Sequence, residues 1–404
     1  MKPFDRFRAA APARSRRAAV IAVLAVALVA GFVVWPSTPA GSKYLQAATA
    51  GGDYLVSQMN ADGSFVYEYD PIKRKKSSSY NMLRHAGTTF SLIELHEATG
   101  DAKYLAAAEN GLGYLRRQII DCPTAPTAAC VLEDDEIKLG GNGLALLALS
   151  KYMAVTGSRG DLSLAQRLAE FIVSVQSPAG EFTVHKITGT DVDDFESGYY
   201  PGEAIYALTQ LHELDHNERW SAAAHQAARW LITVRDAGVA IDDLDHDHWL
   251  LYGLREVYEN KPDPLYVEHA KKIVQAIAAI QHHGKSKKQA DWNGGFRSPP
   301  RSTPAATRSE GLGAAYALFV GADESSQAQI AKDVMEKAIK FQLRTQFTKD
   351  QLSSIDGDPA AVGAFHESLN EYGIRIDYVQ HNISALLLFE TLRKGNPAEE
   401  VAER

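Results

Sequence analysis

Asp377-Tyr378-Val379-Gln380-His381-Asn382 opens the last apolar stretch of the chain. Arg375 stands just before it, and Ile383 to Leu392 continues with the spacing of a helix that is apolar almost all round. Such a helix is normally buried. Its first turn nevertheless carries an aspartate, a glutamine and a histidine, and burying charge is costly unless it is paired or used. The expectation is that this helix start is one of several that meet in a single polar pocket.

Working back from it, two kinds of helical segment alternate. Apolar residues at spacings of three and four mark both kinds. The first is amphipathic: Tyr44–Gln58, Ala102–Gln118, Leu162–Gln176, Arg219–Val234, Pro264–Gln281 and Ser326–Gln346. The second is small and apolar and begins in a polar loop: His85–Thr99, Asn142–Thr156, Pro201–Leu214, His248–Tyr258, Thr307–Val320 and Val379–Arg393. No alternating strand pattern exceeds a loop hairpin.

A second period runs through the connections. Gly63-Ser64-Phe65, Gly180-Glu181-Phe182, Gly294-Gly295-Phe296 and Gly363-Ala364-Phe365 each follow a glutamine near a helix end, namely Gln58, Gln176, Gln281 and Gln346. A turn glycine followed by an aromatic that packs back on the helices reads as a repeated structural unit.

Six hairpins of this kind resemble the (α/α)6 toroid, over roughly residues 42–393. The Gln…Gly-x-Phe pattern is similar to the repeat of terpene cyclases. The polar helix starts look more like those of the glycan-processing toroids: glycoside hydrolases, polysaccharide lyases and sugar epimerases. The resemblance implies an all-α fold, with the amphipathic helices in an outer ring and the apolar ones in an inner ring. It also implies that the loops into the inner helices gather at one end.

The six inner starts then define the candidate site. They bring Tyr80, Arg84 and His85; Gly140, Gly141 and Asn142; Tyr199, Tyr200 and Glu203; Asp245 to Trp249; Arg301, Arg308 and Glu310; and Arg375, Asp377, Gln380 and His381. A helix N-terminus favours acids, which accounts in part for Glu203, Asp247 and Asp377. It disfavours cations, so Arg84, Arg308 and Arg375 imply acid partners or an anionic ligand.

Several chemistries fit these residues; glycoside hydrolysis is expected first, and epimerisation or elimination second. Glycoside hydrolysis needs two carboxyl groups flanking the scissile bond. Glu203 is the first choice of acid, because Tyr199, Tyr200 and Pro201 would shield it and raise its pKa. Asp247 is the choice of base, with Glu310 and Asp377 as further candidates; each acid has a helix cap or a salt bridge as its plain alternative. Epimerisation or elimination needs a base at carbon and a cation for the developing charge. Arg84, His248 and His381 look like the arginine-plus-two-histidines layout of toroidal epimerases, although that family's glutamate three residues after the first histidine is here Leu251. Asp191-Val192-Asp193-Asp194 spells the acid motif of terpene cyclases, but the aromatic wall a carbocation requires is missing from these starts. Non-catalytic binding of an extracytoplasmic polymer, in an export or assembly system, is the remaining class. Trp249 and Trp292 have the chemistry to stack on sugar rings, or to fill a core. Asp245, His246, Asp247 and His248 are metal-ligand types. Without a histidine pair at helical spacing they read as loop, and no metal or cofactor is expected.

The remaining composition sets the setting. The chain has 404 residues, 45% hydrophobic and 23% charged, and a net charge of -8. Its pI near 5.9 argues against a nucleic-acid partner. Arg6, Arg8, Arg14, Arg16 and Arg17 precede an uncharged run from Ala18 to Trp35, close to the ~20 residues that cross a bilayer core. A basic tail at 1–17, a signal-anchor at 18–35 in an inner membrane, a linker at 36–41, a periplasmic toroid at 42–393 and a disordered tail at 394–404 are expected. Cys122 and Cys130 are the only cysteines; in an oxidising compartment they are expected to form a disulfide. The partner expected is a poly- or oligosaccharide, possibly an acidic one.

Overall fold

The computed structural model of the chain describes residues 41–285 and 287–394. The expected basic tail, the apolar run and the C-terminal tail lie outside them. Among the described residues, no helix is long and apolar enough to cross a membrane.

Among the described residues, thirteen α-helices are formed. Six make an outer ring: α1 (Lys43–Ser57), α3 (Ala102–Arg116), α5 (Leu162–Ser174), α7 (Glu218–Trp230), α9 (Pro264–Ala279) and α11 (Ser325–Gln342). Six make an inner ring: α2 (Met82–Thr99), α4 (Leu139–Thr156), α6 (Tyr200–Asp215), α8 (His248–Asn260), α10 (Ser302–Gly321) and α13 (Ile376–Lys394). The short α12 (Lys349–Ser354) lies in the last connection. Each inner helix packs on the next, and α13 packs on both α10 and α2, so the ring closes.

Burial explains the two kinds of helix. In α4 every residue from Leu139 to Ser150 is buried, whereas α5 buries one stripe, Ala165, Leu168, Ala169, Phe171 and Ile172. A fully buried Leu contributes about 1.5–3 kcal/mol relative to exposure. Removal of apolar surface, more than helix propensity, therefore holds the inner ring.

The Gln…Gly-x-Phe units lock neighbouring hairpins together. Gln281 Nε2 donates to Gly294 O within its own turn (3.2 Å) and to Val334 O on α11 (2.9 Å). Gln176 and Gln346 repeat this, reaching Ala223 O on α7 and Ala47 O on α1 at 2.9 and 2.8 Å. Gly294 has φ +84°, and a Cβ there would lie 2.0 Å from Lys337 O. The turn thus needs glycine for its backbone and for its approach to the next helix. At Gly363 (φ +88°) the next helix is α1, so the last turn joins the ring to its beginning. Gln58 departs from the pattern, since its Nε2 reaches only Ser57 Oγ.

Strands are the main difference from an all-helical expectation. β1 (Glu68–Asp70), β2 (Lys75–Lys76), β8 (His366–Ser368) and β9 (Glu371–Arg375) form an antiparallel sheet in the order β2-β1-β9-β8. Glu68 pairs with Arg375 and Tyr69 with Ile374, joining the first connection to the last. β3 (Ile119–Asp121), β4 (Ala129–Glu133), β5 (Glu136–Lys138), β6 (Lys186–Thr188) and β7 (Asp191–Val192) form the second sheet. None of these strands exceeds five residues, too few for alternation to register in the sequence. The Cys122–Cys130 disulfide is present and ties β3 to β4.

Candidate active site

The inner helices begin earlier than the sequence pattern suggests. α10 starts at Ser302, so Arg308 and Glu310 sit in its second and third turns, roughly 9 and 12 Å from its start. Their side chains therefore reach into the barrel. One cavity of about 390 Å³ is lined from all six inner helices, by Arg84, Leu144, Glu203, His248, Arg308 and His381 among others.

On one side, Asp377 organises two arginines. Arg375 donates through Nε and Nη2 to its two carboxylate oxygens at 2.5 and 2.9 Å, and Arg84 Nε reaches Oδ2 at 3.2 Å. Arg84 Nη1 also donates to the Tyr67 hydroxyl at 2.5 Å, and Arg375 stacks over Tyr378. The acid partners that the sequence demanded for Arg84 and Arg375 are thus met by Asp377.

Two histidines face each other across the floor. The rings of His248 and His381 are 5.4 Å apart and nearly perpendicular. Neither nitrogen of His248 has a hydrogen-bond partner. Burial, then the neighbouring His381 and Arg308, hold its pKa well below the ordinary value, so the ring is neutral. His381 is the reverse case. Burial alone would lower it, but Glu310 Oε1 lies 2.9 Å from its Nδ1 and the net shift is upward. Burial also raises Glu310. The pair holds one proton between its members and titrates as a unit.

His248, Glu310 and His381 also bring their ligand-type atoms within 4.8 Å of one another. The 2.9 Å contact between His381 Nδ1 and Glu310 Oε1 is also the geometry of a proton relay.

Glu203 lines the cavity with Oε2 unpartnered. Burial, then the charge of Asp247, raises its pKa well above the usual carboxylate value, which favours the protonated form. Tyr199 and Trp249 line the same wall, Tyr199 on the lip at 47% exposure.

Other expected residues stand outside the lining. Asp247 is fully buried and caps α8, its Oδ1 accepting from Leu250 N at 3.1 Å. A Cβ on Gly202 would lie 2.9 Å from its Oδ2. Burial raises its pKa to about 7. Tyr80 and His85 bond each other at 2.7 Å, and His85 Nε2 is satisfied by Gly111 O. Asn142 ties Val131 N to Lys138 O. Tyr200 packs against His185 and Phe195, and Trp292 against His282. These five side chains hold loops onto helices. Asp191 and Asp194 are exposed, unlike the sheltered acid a carbocation site needs. His246 accepts from Arg308 Nε and Nη2 and so diverges from its neighbours Asp247 and His248.

Sequence reasoning passed over Arg297 and Tyr378 in the lining, and Glu94 below it. Arg297 directly follows a Gly-x-Phe unit, a signal that could have found it. Glu94 accepts from Ser384 Oγ at 2.6 Å, and burial pushes it to about 7; it lies mid-helix, where no cluster of polar neighbours marks it.

No protein-family model and no curated relative matches the chain. Solved structures do. The chain is similar to cellobiose 2-epimerase from Bacillus thermoamylovorans, with TM-score 0.66, 11% identity, and 86% of this chain and 99% of that one covered. It is similar to a D-mannose isomerase, with TM-score 0.63, 14% identity and 89% and 100% coverage. It is also similar to the alpha-1,6-mannanase GH76A from Salegentibacter sp. HEL1_6, with TM-score 0.59, 12% identity and 86% and 99% coverage. At these identities the likeness is one of fold: the chain is an (α/α)6 toroid of the kind found in these carbohydrate-active enzymes.

Proposed function

We propose that the protein is a carbohydrate-processing enzyme that moves a proton at the carbon beside a sugar carbonyl, as an epimerase or aldose–ketose isomerase does. One observation carries the reading: two facing histidines in one cavity have pKa values driven in opposite directions, which is how acid and base roles are assigned within one site. Neutral His248 takes the proton from the carbon next to the carbonyl of an open-chain sugar. His381, charged through Glu310, gives its proton to the carbonyl oxygen. The product is an enediol, and return of a proton to carbon yields the epimer or the isomer. The similar epimerase and isomerase structures support this reading. Glu310, from α10, supplies a carboxylate beside the histidine pair where Leu251 on α8 has none.

The test is proton NMR of reducing sugars in D2O with the purified full-length protein. Loss of the C2 proton signal, abolished by His248→Asn, is the expected result. A second reading, glycoside hydrolysis, has its own support in Glu203, a sheltered and protonated carboxyl that faces the cavity. Release of reducing ends from an oligosaccharide, without exchange at C2, would replace the first reading by the second. Sugar binding with neither reaction would make the site a binding site.

We further propose that the toroid works outside the cytoplasm, anchored by the run from Ala18 to Trp35. The disulfide supports an oxidising compartment. Protease digestion of spheroplasts checks this, since protection of the toroid from external protease would exclude it.

A further inference from the structure

Five arginines face the cavity: Arg84, Arg297, Arg301, Arg308 and Arg375. Three have carboxylate partners. Arg84 and Arg375 share Asp377, and Arg301 is paired with Glu367. Arg308 and Arg297 have none among the described residues. Arg308 spends its donors on a neutral imidazole, His246 Nδ1, at 3.2 and 2.8 Å, and on Pro304 O at 3.0 Å. Its guanidinium lies over the Phe296 ring at 5.2 Å. Among the described residues, the side chain of Arg297 makes no hydrogen bond or ion pair.

A half-buried guanidinium without a counter-ion is costly. Burial, with Arg297 as a like-charged neighbour, pulls Arg308 down to about 10. Tyr199 acts on it in the opposite sense, and the histidines His246 and His248 are also within its field. The uncompensated charge is also localised. Arg308 acts on His248, so it lies on the α8–α10 side of the cavity, whereas the Arg84–Asp377–Arg375 group has a second carboxylate in Glu68, 3.6 Å from Arg375 Nη1.

We propose that this corner is an anion subsite, and that the sugar bound in the cavity carries an oxyanion substituent, a carboxylate, phosphate or sulfate, held by Arg308 and Arg297. This rests on the sugar-processing function proposed above and narrows its substrate class. An oxyanion completes the charge that the protein leaves open, and guanidinium groups recognise such groups through paired, charge-assisted hydrogen bonds. It also orients the sugar, since an anchored substituent fixes which carbon faces His248. Of the three arginines that the sequence suggested for an anionic ligand, Arg84 and Arg375 have carboxylate partners and Arg308 has none among the described residues, and Arg297 joins it.

The experiment is isothermal titration of the full-length chain with glucuronic acid, glucose 6-phosphate, glucose 6-sulfate and glucose. At least one acidic sugar is expected to bind about tenfold or more tightly than glucose, the gain of one charge-assisted contact. The three acidic probes separate carboxylate, phosphate and sulfate. Arg297→Gln and Arg308→Gln should each reduce the preference, and the double variant should abolish it. Arg297→Gln loses no internal partner and so tests the subsite even if Arg308→Gln folds poorly. Equal affinity for acidic and neutral sugars overturns the proposal. So does failure of every acidic sugar to bind, or a preference that survives in the double variant. Exchange at C2, followed separately by NMR, tests the proton-transfer function: a preference without exchange leaves the subsite standing and removes that function, and exchange without a preference does the reverse.

Discussion

The imidazole of His381 meets the ring of His248 edge to face at 5.4 Å, while its Nδ1 is held 2.9 Å from Glu310. The two rings are thereby pushed in opposite directions, His248 down and His381 up, although both are buried in the same cavity. The groups facing His248 are Tyr199, Arg308, Glu310 and His381; those facing His381 are Arg84, Asp377, Glu310 and His248. The first predictions follow from this opposition.

The pH dependence of turnover has a worked sign. The active form has His248 unprotonated and the His381–Glu310 pair holding its proton. His248 gains a proton only well below 6.5, and the pair loses its proton only above 6.5. The profile of kcat against pH should therefore be level across 6.5, falling on the acid side as His248 protonates and on the alkaline side as the pair deprotonates. A single limb centred near 6.5 would show that the two environments do not act in opposition.

Glu310→Gln separates charge from shape. Glutamine can still bond His381, but it removes the carboxylate that raises its pKa, leaving burial and Arg84 to lower it. The alkaline limb should move to lower pH, and kcat at pH 7 should fall by about 10²-fold or more. Affinity for the sugar should change little, because Glu310 is 1% exposed and lies outside the lining. An unchanged alkaline limb would remove Glu310 from the relay.

The turn units make a stability prediction with an internal control. Gln281→Leu leaves Val334 O and Gly294 O without their side-chain donor, at a cost of about 1–3 kcal/mol. Gln58→Leu loses only a 3.3 Å contact to Ser57 and should cost less than about 0.5 kcal/mol. Gly294→Ala combines a positive φ with a backbone collision and should be the most damaging of the three. Thermal melts check the order; equal losses for Gln281→Leu and Gln58→Leu would mean that the bridge to the next helix adds nothing.

These turns also show how far the sequence could be read. Helical spacing recurs twelve times, and each of the twelve ring helices falls on an expected one within a few residues, because a ring of hairpins repeats the same burial problem at every position; the short α12 was not expected. The repeated Gln and Gly-x-Phe marked the junctions for the same reason. The site was legible only as a set of helix starts. Asp247 looked like a base, but an acid before a helix serves the cap equally well, and Gly202 walls it off. Arg308 and Glu310 were placed at a helix start because Ser302 to Ala306 carries no strong apolar period; the extra turns sink them into the barrel. The pairing of Asp377 with Arg84 joins residues 293 positions apart, a relation that local pattern cannot contain.

Buried carboxyls make the last prediction, and its sign is opposite to that of an ordinary salt-bridged acid. Asp247 is raised to about 7 and Glu203 well above its usual value. Each binds its proton more tightly folded than unfolded. Their contribution to stability is therefore fully present below the unfolded pKa, near 4, and is lost as pH rises through the folded value. The melting temperature should fall between pH 5 and pH 8 on their account. Asp247→Asn keeps the capping oxygen for Leu250 N, since asparagine caps as well as aspartate, and it removes a charge beside Glu203. The variant should match wild type most closely near pH 4, exceed it by pH 8, and retain turnover, because Asp247 does not line the cavity. Lower stability at both pH values would mean that the aspartate is ionised and paired in the folded protein, and loss of turnover with an intact fold would return Asp247 to the role of base.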